Sequence, residues 1–334
     1  MPRQRRDRAT LVDVARASQV SRQTVSNALN NPERVASDTL ERVQLEIARL
    51  GFRPNRAARS LRRQRANAIG FQVERDSARV FNDIHDPFLS ALTGCAQADD
   101  AHVITFVADD DVLATYDHLL ATQVVDGFVL AHTHRHDPRA DWLRERDVPF
   151  VAFGRIWDDP TVTSWVDVDG RAGTIAAVEH LREAGYRQVA WLGWPEGSPV
   201  GDDRRAGWLE ATAGLDQDAG ALSVAVPQNA LAAADAAGPL LGRLSPGDAI
   251  ACASDVIALG VTMALGQRGL RAGADIGVIG FDDGDLAEVF DLSTVRQPLH
   301  DIAALLIRML EASAEPSDGV IVTPSVVPRA STRR

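Results

Sequence analysis

From Ala68 onward the sequence repeats one pattern: a short apolar run, then an amphipathic stretch long enough for a helix. Residues 68–73, 103–108, 125–130 and 149–154 form a first series of such runs, and after Asp169 the rhythm restarts at 188–193, 223–226, 249–254 and 276–281. Near-continuous apolar runs need cover on both faces, which is the environment of parallel strands flanked by helices. The 45% apolar content is ample for such cores. The stretch is too long for one open sheet, so two α/β lobes are expected. Open sheets of this kind bind ligands beyond the carboxyl ends of their strands.

Asp86, Phe88, Arg155, Trp194, Asp255 and Asp282 come after the runs, Phe281 closes the last of them, and Arg204 opens the segment Arg204-Arg-Ala-Gly-Trp farther beyond the fifth. Sugar hydroxyls donate and accept at once, so Arg donors, Asp acceptors and an aromatic face together suit a carbohydrate. Taken singly, each residue reads equally well as a surface ion pair or a helix cap; the shared placement at strand ends favours a site. No Gly-x-Gly-x-x-Gly, phosphate loop or Gly-x-Ser-x-Gly follows a strand, so neither a cofactor nor catalysis is expected. His132, His134 and His136 would share one side only in an extended segment. Arg135 between them and Asp137-Pro138 after them favour a solvated loop over a metal site. Asp109–Asp111 starts a helix, where negative charge complements the dipole, and no metal is expected there either.

The first 65 residues break the pattern. They carry fifteen Arg against six Asp and Glu, a net of +9, in a chain whose net charge is −11. A basic arm on an acidic body implies a nucleic-acid partner for the arm alone. Thr10 and Asp13 form a capping-box pair before a short helix bearing Leu11, Val14 and Ala15 on one face. Residues 17–20 interrupt it. Ser21 caps a second helix whose Val25, Ala28 and Leu29 face inward and whose Arg22, Gln23, Ser26 and Asn27 do not. Two short helices joined by a tight turn make a helix-turn-helix. A third helix is expected from a cap at Ser37 to a stop at Gly51. Over residues 55–62, helical spacing puts Arg56, Arg59 and Arg62 on one side and Ala57, Ala58 and Leu61 on the other. Such a segment is too short to hold alone and would order on DNA, with Leu61 as a wedge in the minor groove.

The segments 10–30, 31–35 and 51–62, together with 166–173, 180–190, 255–260, 277–283 and 293–298, closely resemble the LacI/GalR family of bacterial repressors. The resemblance implies a small all-α helix-turn-helix headpiece with a hinge helix, then an α/β core of two lobes with parallel sheets, related to type I periplasmic binding proteins. It implies a headpiece over 1–52, a hinge over 53–65 and a core over 66–334. Within the core, one lobe spans about 66–167 with 296–323, and the other about 168–295 with 324–334. It further implies operator contacts by Thr10, Ser21, Arg22, Gln23, Thr24, Ser26, Asn27 and Asn30, and by Asn55, Arg56, Ala58, Arg59 and Leu61 of the hinge. Phe88, Arg155, Arg204, Asp255 and Asp282 match effector-contacting positions.

Three residues depart from the family pattern. Gln19 replaces a Gly in the turn, Asn27 replaces a common Arg of the recognition helix, and Gly170 replaces an Asn after Asp169. The loop 74–86 also reads as extended.

The expected function is a sequence-specific repressor of carbohydrate-related genes. It would act as a homodimer, or a higher oligomer, on pseudo-palindromic operator DNA, under control of a small-molecule effector such as a mono- or oligosaccharide. Cys95 and Cys252 lie in apolar segments without neighbouring ligands, no apolar run reaches the ~18 residues of a membrane span, and no secretory leader is evident, so a cytoplasmic protein is expected. The alternatives are a carbohydrate-binding or enzymatic α/β protein whose basic arm reads no operator, and a purine-type regulator that needs a corepressor.

Overall fold

The structure is a computed structural model, and it describes residues 9–52, 66–73, 84–312 and 318–334. Two compact units divide the chain, Met1–Arg65 and Ala66–Arg334. The hinge residues Asn55, Arg56, Ala58, Arg59 and Leu61 lie outside the described residues, as does most of the loop 74–86.

The small unit has three helices, α1 (Leu11–Ala17), α2 (Arg22–Asn30) and α3 (Ser37–Leu50), with a 3-10 turn over Pro32–Arg34. Val14, Ala15, Val25, Ala28, Val43 and Phe52 form its core. The expected cap of α3 is displaced by one residue: Ala36 is the N-cap and Ser37 the first helical residue, with no side-chain capping bond. Gly51 ends α3 at φ +62°, where its amide and that of Phe52 close onto the Ala48 and Ile47 carbonyls. A left-handed glycine satisfies the last orphan carbonyls in this way.

The large unit contains twelve strands among the described residues. In chain order they are β1 (Ala68–Gln72), β2 (His102–Phe106), β3 (Gly127–Leu130), β4 (Phe150–Phe153), β5 (Trp165–Val168), β6 (Val189–Gly193), β7 (Ser223–Ala225), β8 (Asp248–Cys252), β9 (Ile276–Ile279), β10 (Thr294–Arg296), β11 (Val320–Val322) and β12 (Ser325–Val327). One sheet runs β11-β5-β4-β3-β1-β2 and a second β7-β6-β8-β9, and every pairing in both is parallel. All strands of a sheet therefore end on the same edge, so residues following them collect there.

Helices α4 (His85–Ala98), α5 (Val112–Ala121), α6 (Pro138–Arg144), α7 (Gly170–Glu183), α8 (Pro199–Thr212), α9 (Ala230–Leu241), α10 (Asp255–Gln267), α11 (Asp285–Val289) and α12 (Leu299–Glu311) complete the large unit. The chain passes between the two sheets at three places. It leaves the first through β5 into α7, and returns after β10 into α12, which packs on α4, β4 and β5. It leaves again after β11 into β12, which pairs with β10. Three crossings tie the sheets together without forbidding a change in their angle. Burial of large side chains such as Trp191, Trp208 and Phe128 stabilises each layer by ~1.5–3 kcal/mol apiece. Cys252 belongs to the second core, whereas Cys95 is half-buried.

Candidate functional sites

In the small unit, Thr10 closes the capping box. Its hydroxyl accepts from the Asp13 amide at 3.3 Å, and the Asp13 carboxylate accepts from the Thr10 amide at 2.9 Å. The Asp13 carboxyl is held below its ordinary range chiefly by hydrogen bonds from Thr10. Gln19, where the family carries Gly, stands at φ +55°, so the left-handed turn is made by a residue that pays for it in steric strain. Arg42 Nε donates to the Ser18 carbonyl at 3.0 Å and ties α3 to this turn.

Ser21 caps α2 by accepting from the Thr24 amide at 3.0 Å, and its hydroxyl is 2.9 Å from that of Thr24. Arg22 and Gln23 are exposed, and Gln23 Nε2 donates to Asn27 Oδ1 at 3.2 Å. That bond ties the two amides together at the spacing of one turn. Ser26 falls on the side of Arg22 and Gln23 by helical geometry but is only 9% exposed. It is a shielded neighbour of the open face rather than part of it. Asn30 ends the helix.

In the large unit, the ends of both sheets contribute to one cluster. Arg204, in the first half of α8, is 4% exposed; it donates to the Ala253 carbonyl at 2.5 Å and reaches Asp282 Oδ1 at 3.3 Å. Its guanidinium lies 3.7 Å from the Phe281 ring centroid and 5.3 Å from that of Trp194. Asp282 also accepts from Gln297 Nε2 at 2.6 Å. Its backbone is at φ +118°, a conformation rare for any residue with a Cβ, and its amide donates to the Val295 carbonyl at 2.8 Å. Burial pushes the Asp282 carboxyl up against the pull of Arg204 and Gln297, and burial pushes the Arg204 guanidinium down against Asp282. Both shifts run against charge, as desolvation of an ion pair requires.

Arg155, two residues beyond β4, bridges the sheets. Its Nε donates to Asp167 Oδ2 at 2.6 Å and its Nη2 lies 3.6 Å from Asp203 Oδ2 on α8. The same guanidinium covers the Trp157 ring at 4.0 Å. Burial raises the Asp203 carboxyl, with Arg155 opposing, and Asp203 accepts from the Arg171 amide at the start of α7. Gly170 explains the approach: a Cβ there would stand 3.1 Å from both Arg204 Cγ and Asp203 Oδ2. An Asn at this position would press on the cluster. Only two buried side-chain polar atoms lack a partner among the described residues, Arg204 Nε and Trp157 Nε1. One is in this cluster and the other beneath Arg155. Orphaned donors of this kind cost ~1–3 kcal/mol each, so an added acceptor at either atom would be stabilising.

The remaining expected contacts have the following surroundings. Asp255 is 0% exposed; it accepts from the Thr294 hydroxyl at 2.6 Å and the Gly284 amide at 3.2 Å, so it braces the Asp282 turn and offers no surface. Phe88 is 0% exposed between Phe71 and Phe153, at 5.7 and 4.5 Å between centroids, and backs the first sheet. Asp86 is exposed on the first turn of α4. Trp194 Nε1 donates to Gln228 Oε1 at 2.7 Å, an atom that also accepts from the Ser254 hydroxyl. Asp167, Asp203, Gln297 and Trp157 were not expected from sequence, although Asp167 and Trp157 each lie close to the end of a strand. Asp111 caps α5, accepting from the Ala114 amide at 3.1 Å. No described cluster of three His, Cys, Asp or Glu could hold a metal ion, and no described helix is long and apolar enough to cross a membrane.

Residues 10–55 match the family model for bacterial regulatory proteins of the lacI family, and residues 178–332 that for a periplasmic binding protein-like domain. The chain is 32% identical to the HTH-type transcriptional regulator CelR of Thermobifida fusca, over 97% of its own length and 98% of the relative's. Among solved structures it is similar to a transcriptional regulator CelR–cellobiose complex, at 27% identity and a TM-score of 0.70, over 97% of this chain and 100% of that one. It is also similar to the lac repressor dimer bound to operator and an anti-inducer, at 26% identity and a TM-score of 0.77, over 98% of this chain and 99% of that one.

Proposed function

The chain belongs to the LacI family of bacterial regulatory proteins, and from that premise we propose that it is a cytoplasmic, dimeric repressor of carbohydrate-related genes whose operator affinity is set by a sugar. The family is one of transcriptional regulators, so the chemistry to explain is binding. In this reading α2 enters the major groove with Arg22 directed to guanine and Gln23 to adenine. Asn27 replaces a longer cation and alters the base preference beside them. The hinge 53–65 enters on its sequence alone, with Leu61 as the minor-groove wedge. The lac repressor, solved as a dimer on its operator, supports two copies acting on a pseudo-palindrome.

The observation that carries the sugar reading is the charge balance of the cluster. Arg204 is matched by Asp282, and Arg155 by Asp167 and Asp203, while Arg204 Nε and Trp157 Nε1 have no partner among the described residues. A site whose charges are already paired favours a neutral ligand rich in hydroxyls over an anion. The Arg204 guanidinium already lies against one face each of Phe281 and Trp194, which disfavours a purine sandwiched between these two rings. The relative solved with cellobiose supports the same ligand class.

The test is to select an operator from random duplex DNA and then titrate neutral sugars into the complex. Release by at least one sugar is expected from the wild type, and no release from Asp282→Asn with operator affinity retained. Failure to select any sequence, or release by phosphorylated ligands alone, would contradict the reading.

A further inference from the structure

Beside the cluster just described lies a cavity of about 200 Å³, lined by Gln72, Val112, Ala131, His132, His134 and Pro138, with Asp137 and Arg139 in its wall. It sits where β1 and β3 end and where α5 and α6 begin. It uses the histidine-rich loop that the first unit of function leaves unexplained. The geometry points to this cavity as a second sugar-ring subsite, so that the effector is a neutral disaccharide or a longer oligosaccharide. One ring would meet Arg155, Arg204 and Asp282, and the next would lie against the histidine loop; this rests on the sugar reading of the neighbouring cleft.

The cavity is built rather than accidental. Arg139 is gripped by Asp137 at 2.9 and 2.6 Å, donates to the Ala131 carbonyl at 2.9 Å, and stands 3.5 Å from Gln72 Oε1. The Tyr116 hydroxyl donates to the same Gln72 oxygen at 3.0 Å. Two donors fix that atom as the oxygen, which leaves Gln72 Nε2 as a donor with no hydrogen-bond partner among the described residues. Burial opposes ionisation of Asp137, but the hydrogen bonds and charge of Arg139 prevail and hold its carboxyl below the usual range. The pair is therefore internally neutral and offers no net charge to an anion.

His134 Nδ1 lies 2.9 Å from the Arg135 carbonyl, which requires a proton on Nδ1 and makes Nε2 of the neutral ring an acceptor. Val112, Ala131 and Pro138 supply an apolar patch for the C–H face of a ring. Donor, acceptor and apolar patch in one small space are what a pyranose presents in reverse.

Two further observations decide between a separate site and an extension of the cleft. The volume is below the roughly 300–1,000 Å³ of a complete small-molecule site, so the cavity takes part of a ligand. Its loop is also tied to the loop that borders the cleft. The Thr133 hydroxyl donates to the Arg155 carbonyl at 2.9 Å, and the His136 amide donates to the Asp158 carboxylate at 2.9 and 3.0 Å. The histidine loop is thereby fastened to the loop that carries Arg155 and the unsatisfied Trp157. Strand β3 adjoins β4, and neighbouring strand ends are roughly 5 Å apart, about the offset between linked sugar rings.

Calorimetric titration of the full chain with glucose, galactose and mannose, and with cellobiose, maltose, lactose and melibiose, tests the assignment. At least one disaccharide is expected to bind about tenfold more tightly than either of its component hexoses. His134→Ala, at an exposed position, and Val112→Trp, which fills the cavity, are each expected to lower that disaccharide-to-hexose ratio at least about fivefold. A hexose that binds as tightly as every disaccharide, or a ratio untouched in both variants, would overturn the subsite while leaving the sugar reading of the cleft in place. Binding of no sugar at all would overturn both.

Discussion

On α2 Arg22 and Gln23 stand in solvent, with Gln23 joined to Asn27 by one local hydrogen bond, whereas in the cleft Arg204 and Asp282 are 4 and 8% exposed and hold each other. The first surface is complete before its partner arrives. Its charge acts at a distance through phosphates, and its side chains lose only their own rotamer freedom when they meet a base. The second surface is closed. Its Arg204–Asp282 pair is desolvated, its Asp282 backbone is at φ +118°, and two donors have no partner among the described residues. A ligand that supplies acceptors there gains free energy only if the lobes adopt the geometry that admits it, which is how a binding event becomes a conformational one.

The largest expected effect lies on the closed side. Asp282→Ala leaves Arg204 buried without its counter-charge and should destabilise the large unit by about 3–5 kcal/mol, read as a fall in its melting temperature. Asp282→Asn, which keeps an acceptor for Gln297, should cost much less. Equal melting temperatures for wild type and the Ala variant would mean that the cleft is already wet and open.

On the open side, Arg22→Ala and Gln23→Ala should each weaken operator binding by about 1–3 kcal/mol and relax specificity at one base pair. Neither should move the melting temperature, because neither side chain is buried. A loss of stability instead would make α2 a packed helix rather than a reading face.

A pH titration separates the two units again. All eight histidines follow residue 65. Burial holds the His180 imidazole below its ordinary value of 6.5, against the pull of Glu183, and its Nε2 lies 2.8 Å from the Thr332 hydroxyl. The unfolded chain takes a proton near pH 6.5 while folded His180 resists it. Stability of the large unit should therefore fall as the pH drops below 6.5, and level off below the folded value. His180→Gln should flatten that slope, and thermal melts between pH 8 and 5.5 would detect it. The small unit should be insensitive over the same window; a slope there would break the contrast.

The smallest effect concerns Gln19. Its left-handed backbone costs ~1–2 kcal/mol relative to a right-handed one, part of which a glycine regains and part of which glycine loses to chain entropy. Gln19→Gly should stabilise the small unit by ~0.5–1 kcal/mol, measured by denaturant unfolding. Destabilisation would mean that the Gln side chain makes a contact the turn depends on.

Where the sequence was legible, periodicity made it so. Val14, Ala15, Val25 and Ala28 announce a helical face, and the runs around Phe128, Val151, Leu192, Ile250 and Val278 announce strands buried on both sides. Strands β10, β11 and β12 escaped because they are placed by partners far along the chain, as when Val320 pairs with Val166 and Val295 with Val326, and β5 because Asp167 interrupts its apolar run. Within the cleft, Arg204 and Asp282 are legible from their place after strands. Asp167 points from inside a strand, and Asp203 and Gln297 matter only because chain crossings bring them to Arg155 and Asp282. Asp255, also placed after β8, has a carboxylate that accepts from Thr294 and Gly284, partners that its position in the sequence does not reveal. The open face of α2 was read more fully because a helix wheel needs no tertiary partner, although Ser26 shows where packing overrides it.

The central claim is that the open and closed surfaces are coupled, so that occupation of one weakens the other. The direct measurement is the affinity of one releasing sugar for the free protein and for the protein saturated with operator. The account predicts weaker binding on the operator, by the same factor by which that sugar weakens operator binding. An affinity that is equal in the two states, or higher on the operator, would contradict it.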